Sequence, residues 1–223
     1  MNQYDAVFFD WDGTLVDSLD FVFDAHNHVR TGMGFTPWTL AEFVINVKYS
    51  SRQLYPRIYP GREEEAFLLL ATFMEENHLK DIKLIDGALD LLEALAAANI
   101  PMGVVSNKRN VFVKKESTHL GWDKYFKIVV GAGYASNDKP DAEPLISALA
   151  EAGLKPGERI LFVGDTETDL LCARNAGCTA AFLYHDKPDN PLIAQYNLAI
   201  LVKNCVDLRD KLFTPGNSHR VVI

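Results

Sequence analysis

Short apolar runs alternate with amphipathic stretches along most of the chain. Six of the runs are apolar throughout, which is typical of parallel strands in a sheet covered on both faces. Helical periodicity fills the intervals between them, and the pattern predicts a doubly wound α/β domain with a mainly parallel sheet. The predicted strands are Tyr4–Phe9, Met102–Val105, Lys127–Val130, Ile160–Val163, Ala180–Tyr184 and Ala199–Val202. The predicted helices are Ala88–Ala98, Asn110–His119, Ala142–Ala152, Thr168–Asn175 and Val206–Phe213.

About ninety residues separate the first strand from the second, far more than a crossover connection needs. Most of this interval has helical periodicity. Ser18–Thr31 begins with a capping serine, Thr36–Pro37 supplies a threonine cap with proline in the first turn, and Arg62–Asn77 begins with acidic residues. We therefore expect a small all-helical cap domain inserted into the α/β core. The predicted bounds are 16–82 for the cap, 1–15 and 83–213 for the core, and 214–223 for a loosely ordered tail.

The composition narrows the range of partners. Hydrophobic residues make up 48% of the 223 residues, which is enough for a substantial core. The chain has 22 Lys and Arg against 30 Asp and Glu, a net charge of −8, and it has no basic run. This balance argues against a nucleic-acid partner, which needs a basic face. A small phosphorylated metabolite stays compatible, because a metal ion and one lysine reverse the field locally.

The cysteines and the apolar runs bear on the compartment. Cys172, Cys178 and Cys205 cannot all pair, and buried free thiols in a reducing compartment are the simplest interpretation. The N-terminal apolar stretch contains Asp5 and Asp10, unlike a signal peptide. No uncharged run approaches the roughly 18 residues of a spanning helix. We expect a cytoplasmic protein without membrane partners, either a monomer or a homodimer.

Two aspartates follow the first predicted strand in the sequence FFDWDGTLVDS. Asp10 and Asp12 leave the strand two residues apart, so their side chains point to the same side, into the crevice where α/β sheets bind ligands. Two carboxylates this close repel unless a cation lies between them or one is protonated. Gly13 permits a sharp turn, and Thr14 offers a hydroxyl to orient a carboxylate. The alternative is that Asp12–Gly13 only marks a turn.

Two further motifs follow later strands. Ser106 and Asn107 come at the end of the second strand, where a hydroxyl and backbone amides can donate to phosphoryl oxygens. The alternative is that Ser106 caps the next helix. Lys139 lies in the segment KPDAEP before a helix and could neutralise charge on a transferring group. The alternative is a solvated lysine.

A fourth motif, ILFVGDTETD, places Asp165 on the turn after a strand and Asp169 four residues later. Both can contribute to an Mg²⁺ site, because this ion prefers oxygen ligands and retains several waters. The alternative for Asp169 is that it only favours the N-terminus of its helix.

In this order, the four motifs resemble the signatures of the haloacid dehalogenase-like superfamily. The helical insertion, SNK and KPDAEP resemble its phosphoglycolate phosphatase-like branch. The resemblance implies a Rossmann-like core and an Mg²⁺-dependent phosphatase that forms a phosphoaspartate, with phosphoglycolate as the substrate the branch suggests. The site residues it implies are Asp10, Asp12 and Lys139 for catalysis, Thr14, Ser106 and Asn107 for the substrate phosphate, and Asp10, Asp12, Asp165 and Asp169 for Mg²⁺.

Two alternatives remain at this stage. A phosphosugar mutase of the β-phosphoglucomutase type would share all four motifs and return the phosphoryl group to its substrate. A non-catalytic phosphate-binding regulatory protein would keep the fold, although such a protein would be expected to have lost a carboxylate. Arg30, Lys48, Arg52 and Arg57 are the basic side chains of the predicted cap that could reach a substrate.

Overall fold

The apolar runs lie in one six-stranded sheet in the computed structural model, which describes residues 3–185, 187–196, 198 and 200–214. The strands in chain order are β1 (Ala6–Phe9), β2 (Val16–Asp17), β3 (Lys83–Leu84), β4 (Met102–Arg109), β5 (Phe126–Ala132), β6 (Ile160–Gly164), β7 (Thr179–Leu183) and β8 (Leu201–Val202). The sheet has the order β5-β4-β1-β6-β7-β8, and all of its strand pairs are parallel. β2 and β3 pair antiparallel in a separate ribbon.

Helices cover both faces of the sheet, as the apolar runs predict. They are α1 (Leu19–Gly32), α2 (Leu40–Asn46), α3 (Ser51–Ile58), α4 (Glu63–Asn77), α5 (Ala88–Ala97), α6 (Asn110–His119), α7 (Glu143–Glu151), α8 (Glu167–Asn175), α9 (Pro191–Tyr196) and α10 (Cys205–Phe213). Val7 and Phe9 of β1 pack in a cluster with residues of α5 and α10, whereas Ala6 and Phe8 pack with α7 and α8. The two-residue period of a strand explains this division. The doubly wound α/β fold is therefore confirmed.

The predicted cap segment, residues 16–82, contains α1 to α4, and side chains of α1, α3 and α4 share a buried cluster. Tyr55 of α3 is fully buried at its centre, between side chains of α1 and α4. Phe112 of α6 joins the same cluster from the core side. The chain leaves the core along β2 and returns along β3, so the short ribbon ties the two connections together. The bounds of the cap and core as domains stay a prediction.

Several local predictions need correction. The helix predicted to open at Thr36 begins at Leu40, because Thr39 and Glu42 form a reciprocal capping box. Ser18 precedes α1 but makes no capping bond, since its hydroxyl donates to Asp12. The short helices α3 and α9 are missing from the sequence-based pattern, and α3 contains a proline.

Three further expectations concern the cysteines, membrane-spanning helices and the C-terminal tail. Cys172, Cys178 and Cys205 are buried free thiols, as predicted. Among the helices of the described ranges, none has the length and apolar character needed to cross a bilayer. The loosely ordered tail was predicted for residues 214–223, and residues 215–223 lie outside the described residues. Ala199, the first residue of the sixth predicted strand, also lies outside them.

Candidate active site

Three carboxylates meet at the C-terminal edge of the sheet. β1 lies between β4 and β6, so the loops after these strands share one crevice. Asp10 follows β1, Asp165 follows β6, and Asp169 lies in the first turn of α8. Each offers an oxygen that lies within 4.8 Å of the other two. The structure thus brings together residues 155 or more positions apart that the motifs predicted to meet.

Lys139 lies at the centre of this cluster. Its Nζ is 2.8 Å from Asp10 Oδ1 and 2.6 Å from Asp169 Oδ1, and the residue is only 1% exposed. Burial opposes the ammonium charge, but the two neighbouring carboxylates outweigh it and raise the pKa of Lys139. The alternative of a solvated lysine is therefore wrong.

The acidic cluster fits a divalent cation. Three carboxylates lie close together and two of them contact one ammonium, which leaves an excess of negative charge at this place. Burial and then the charge of Asp169 raise the pKa of Asp10 to about 7, although Lys139 opposes the shift. Burial, followed by the charges of Asp169 and Asp10, also raises the pKa of Asp165. Hard oxygen donors with surplus negative charge are what Mg²⁺ selects, so these residues suit that ion.

The loop after β1 approaches Asp165 closely. Gly13 has a φ of +78°, and a Cβ atom there would lie 2.3 Å from Asp165 Oδ2, so only glycine fits. Thr14 is fully buried, and its hydroxyl donates to Asp165 Oδ1 over 3.4 Å. Thr14 therefore orients a carboxylate, and its predicted contact with the substrate phosphate stays a prediction.

Asp169 caps its helix, as the alternative proposed, and its predicted contact with Mg²⁺ stays a prediction. Its Oδ2 accepts a hydrogen bond from the backbone N–H of Thr166 at 3.0 Å, in a capping box at the start of α8. Its Oδ1 accepts from Lys139 at 2.6 Å. Because the helix start fixes one oxygen, the other is held rigidly towards the lysine.

Ser106 and Asn107 lie within β4, which continues to Arg109 rather than ending at the predicted Val105. Both line the cavity next to the acidic cluster. Asn107 Nδ2 donates to the backbone carbonyl of Lys139 at 3.0 Å, which links this strand to the loop that carries the lysine. α6 begins at Asn110, so the alternative of Ser106 as its cap is wrong.

Asp12 points away from the three clustered carboxylates. Its Oδ1 accepts from Ser18 Oγ at 2.6 Å and lies 2.7 Å from Lys108 Nζ. Within the part of the chain that the structure describes, the carboxylates of Asp10, Asp165 and Asp169 lie close enough together to share an ion, and that of Asp12 is not among them. The predicted metal contact of Asp12 is through its backbone carbonyl, and it stays a prediction.

The sequence-based prediction missed a buried polar group behind Asp12. Lys108 Nζ lies 2.8 Å from Glu116 Oε2, and the same carboxylate accepts from Trp11 Nε1 at 2.7 Å. His78 Nδ1 lies 3.2 Å from Glu116 Oε1. Burial raises the pKa of Glu116, although Lys108 opposes the shift. The signal available in the sequence was Glu116 itself, a charged residue on the apolar face of the helix that follows the segment SNK.

A cavity of about 190 Å³ lies between the cap segment and the sheet edge. Its floor contains Asp10, Asp12 and Lys139, whereas its roof is largely apolar. The cap residues of the roof include Val22, Ala25, His26, Leu70 and Met74. Burial lowers the pKa of His26 to about 4, so its imidazole is neutral near pH 7. A cavity of this size suits a small metabolite.

The basic residues of the predicted cap differ in position. Lys48 lines the cavity. Arg52 instead pairs with Asp138 at 2.9 Å, and Ser50 Oγ donates to the same carboxylate at 2.5 Å, so the start of α3 is joined to the loop of Lys139. The other two stack on aromatic rings of the cap segment, Arg30 over Trp38 and Arg57 over Tyr49.

The chain is similar to known phosphatases in sequence and in fold. Phosphoglycolate phosphatase 1 of Pseudomonas aeruginosa is 30% identical over 91% of this chain and 77% of its own. Pyrophosphatase PpaX of Halalkalibacterium halodurans is 25% identical over 93% of this chain and 96% of its own. The crystal structure of a predicted phosphoglycolate phosphatase from Haemophilus somnus superposes with a TM-score of 0.78 at 25% identity, covering 93% of this chain and 97% of that one.

A family model provides the broadest match. The model of the haloacid dehalogenase-like hydrolases covers residues 7–183, which include β1, the four helices of the cap segment and the strands up to β7. All eight predicted site residues fall within this range. The resemblance inferred from the motifs is confirmed: the chain belongs to the haloacid dehalogenase-like hydrolases.

Proposed function

We propose that this protein is an Mg²⁺-dependent phosphatase that hydrolyses a small phosphate monoester through a phosphoaspartate on Asp10. The observation that carries the proposal is the cluster of Asp10, Asp165 and Asp169 with Lys139, of which Asp10 and Lys139 line the cavity. The coarser statement, that the chain is a phosphoric monoester hydrolase, is confirmed by the phosphatases among its relatives.

The proposed reaction has two steps. Asp10 attacks phosphorus, so that an Asp10–phosphorus bond forms while the bond to the leaving oxygen breaks. Asp12 gives a proton to that oxygen, and the product alcohol departs. Asp12 then accepts a proton from the water that attacks phosphorus, and this step releases inorganic phosphate and regenerates Asp10. The sum is ester plus water giving alcohol plus phosphate.

Other groups of the site would hold the transferring phosphoryl group. Ser106 and the backbone amide of Asn107 lie beside the cluster and can donate to its oxygens. Lys139 already neutralises Asp10 and Asp169, and it can also offset charge that develops on the phosphoryl group. The roof of the cavity excludes bulk water during transfer.

Asp10, Asp165, Asp169 and the backbone carbonyl of Asp12 would hold Mg²⁺. When bound, the ion supplies positive charge that draws the phosphate and the nucleophile together and stabilises the charge of the transition state. The contribution of this chain is to hold the three carboxylates in place through Lys139, Thr14 and the start of α8.

Phosphoglycolate is the first substrate to test, because the relative from Pseudomonas aeruginosa is a phosphoglycolate phosphatase. Inorganic pyrophosphate is the second, because other relatives are pyrophosphatases of the PpaX type. The cavity has room for either compound. A reducing cytoplasmic setting, supported by three buried free thiols, and a monomer or homodimer complete the proposal.

The test is Asp10→Asn assayed with 4-nitrophenyl phosphate and Mg²⁺. The amide keeps the shape but is a poor nucleophile, so kcat should fall by at least about 1,000-fold, which corresponds to about 4 kcal/mol. Asp5→Asn is the matched control, because Asp5 precedes the same strand and pairs with Arg159 at the surface. Wild-type turnover by Asp10→Asn would refute the phosphoaspartate, and sugar phosphate isomerisation without phosphate release would indicate a mutase.

A further inference from the structure

Lys108 is buried between two carboxylates on opposite sides. Its side chain is 5% exposed, and its Nζ lies 2.7 Å from Asp12 Oδ1 and 2.8 Å from Glu116 Oε2. Lys108 and Asp12 line the cavity, whereas Glu116 lies behind them with a side chain only 2% exposed. The ammonium therefore connects a cavity-lining carboxylate with a fully enclosed one.

Glu116 is held from several directions. Trp11 Nε1 donates to Oε2 at 2.7 Å, and His78 Nδ1 lies 3.2 Å from Oε1. Trp11 stands between Asp10 and Asp12 in the sequence, and His78 is the C-cap of α4 at the end of the cap segment. A buried ion pair is costly unless its remaining polar atoms are satisfied, and here both oxygens of Glu116 have partners. The arrangement is therefore rigid.

This rigidity acts on one oxygen of Asp12. Ser18 Oγ at 2.6 Å and Lys108 Nζ at 2.7 Å both contact Oδ1. The two contacts fix the rotation of the carboxyl group and leave Oδ2 for the transferred proton. Ser18 immediately precedes α1, so it belongs to the connection that leads into the cap segment.

We infer that Lys108 is a positioning residue for Asp12 and that Glu116 positions Lys108 in turn. The inference rests on the proposed function, in which Asp12 protonates the leaving oxygen while the Asp10–phosphorus bond forms. Lys108 does not exchange a proton with the substrate in this scheme. It sets the direction from which the Asp12 proton reaches the leaving oxygen.

Substrates whose leaving groups differ in basicity distinguish a displaced Asp12 from a general loss of activity. An alkoxide departs only with a proton, whereas 4-nitrophenolate is stable enough to depart without one. A displaced Asp12 therefore slows an alkyl ester selectively. Benzyl phosphate and 4-nitrophenyl phosphate are similar in size and form a suitable pair. The parameter kcat/KM is appropriate, because it reports the steps up to phosphoryl transfer and not the later hydrolysis of the phosphoaspartate.

The experiment measures kcat/KM of Lys108→Met for both esters with Mg²⁺. We expect a loss of about 100-fold for benzyl phosphate and less than about threefold for 4-nitrophenyl phosphate. Glu116→Gln should show the same divergence in weaker form. Equal losses for the two esters, or no loss for either, would overturn the inference while leaving the proposed function intact.

Lys115→Met is the matched control. Lys115 lies on α6 next to Glu116, but it pairs with Glu75 at the surface, where both side chains are more than 40% exposed. The same substitution there should leave the ratio of the two kcat/KM values unchanged.

A folding control is needed, because Lys108→Met leaves Glu116 without its buried counter-charge. The double variant Lys108→Met/Glu116→Gln removes both charges and should keep the fold, which thermal denaturation checks. It should show the divergence expected for Lys108→Met. If the wild-type protein hydrolyses neither of these two esters nor any other small phosphate ester, the proposed function fails and the inference fails with it.

Discussion

The floor of the cavity and the interior of the cap segment are both buried, but they differ in the side chains they contain. The floor contains charged side chains, whereas the cap interior is rich in aromatic ones. At the floor, Lys139 touches two carboxylates within 2.8 Å, and Asp165 adds a third. In the cap interior, the ring of Tyr55 lies 5.2–5.7 Å from the rings of its aromatic neighbours His26, Tyr59 and Phe67. Burial of aromatic area stabilises the cap, whereas burial of charge costs free energy at the floor.

This contrast indicates where each kind of substitution should act. A change at the floor should affect the reaction more than the fold, because the charges are arranged for a ligand. A change in the cap interior should affect the stability of the cap first. The three predictions that follow test the contrast in order of expected size.

Lys139→Met should have the largest effect. It removes the charge that neutralises Asp10 and the transferring phosphoryl group, so kcat should fall by about 10⁴-fold, or about 5 kcal/mol. Phosphate release at saturating substrate measures it. Lys155→Met, at an exposed lysine before β6, is the control and should behave as wild type. A loss of less than tenfold would show that the floor does not depend on this lysine.

Tyr55→Ala should cost about 3–5 kcal/mol of stability, because a fully buried ring leaves a cavity in the cap cluster. Hydrogen exchange followed by mass spectrometry should show lost protection in α1 and α4, with β1 and β6 little changed. Uniform loss of protection across both regions would instead show that cap and sheet unfold as one unit.

The third prediction concerns pH and the neutral imidazole of His26. Burial lowers its pKa to about 4, compared with about 6.5 in an unfolded chain. Between these values the unfolded chain binds a proton that the folded one does not, so stability falls as the pH drops from 6.5 to 4. The full effect is about 3 kcal/mol at most.

Urea denaturation at several pH values measures this slope. His78 contributes in the same direction, because burial also lowers its pKa to about 4. His26→Gln should therefore reduce the slope without removing it, and His119→Gln, at the exposed end of α6, should leave it unchanged. An unaltered slope in His26→Gln would show that the cap tolerates a charged imidazole.

Much of the fold could be predicted from the chain because its strands are buried on both faces. Such strands are apolar throughout, and all six predicted strands lie within or overlap observed strands. The cap was harder to predict. Its second helix was placed at Thr36 instead of Leu40, and α3 was missed, because short helices with an internal proline depend on their surroundings.

The candidate site divides in a similar way. Asp10, Asp165, Asp169 and Lys139 could be predicted because each follows a strand, and strand ends of a parallel sheet share one edge. Glu116 could be recognised as a charged residue on the apolar face of α6, but its partners could not be predicted. It lies 105 residues from Trp11 and 38 from His78, and nothing local announces that these three side chains meet.

The sequence by itself determined the α/β architecture, the family and the acidic residues at the sheet edge, since hydrophobic periodicity and strand-end motifs are local properties. The tertiary structure decided which atom of each polar side chain makes a contact and which side chain is its partner. Only folding turns Asp12 towards Lys108, Thr14 towards Asp165, and Arg52 towards Asp138. These pairings arise from the packing of distant helices and strands, and the free energy of a buried charge depends on all of its neighbours together.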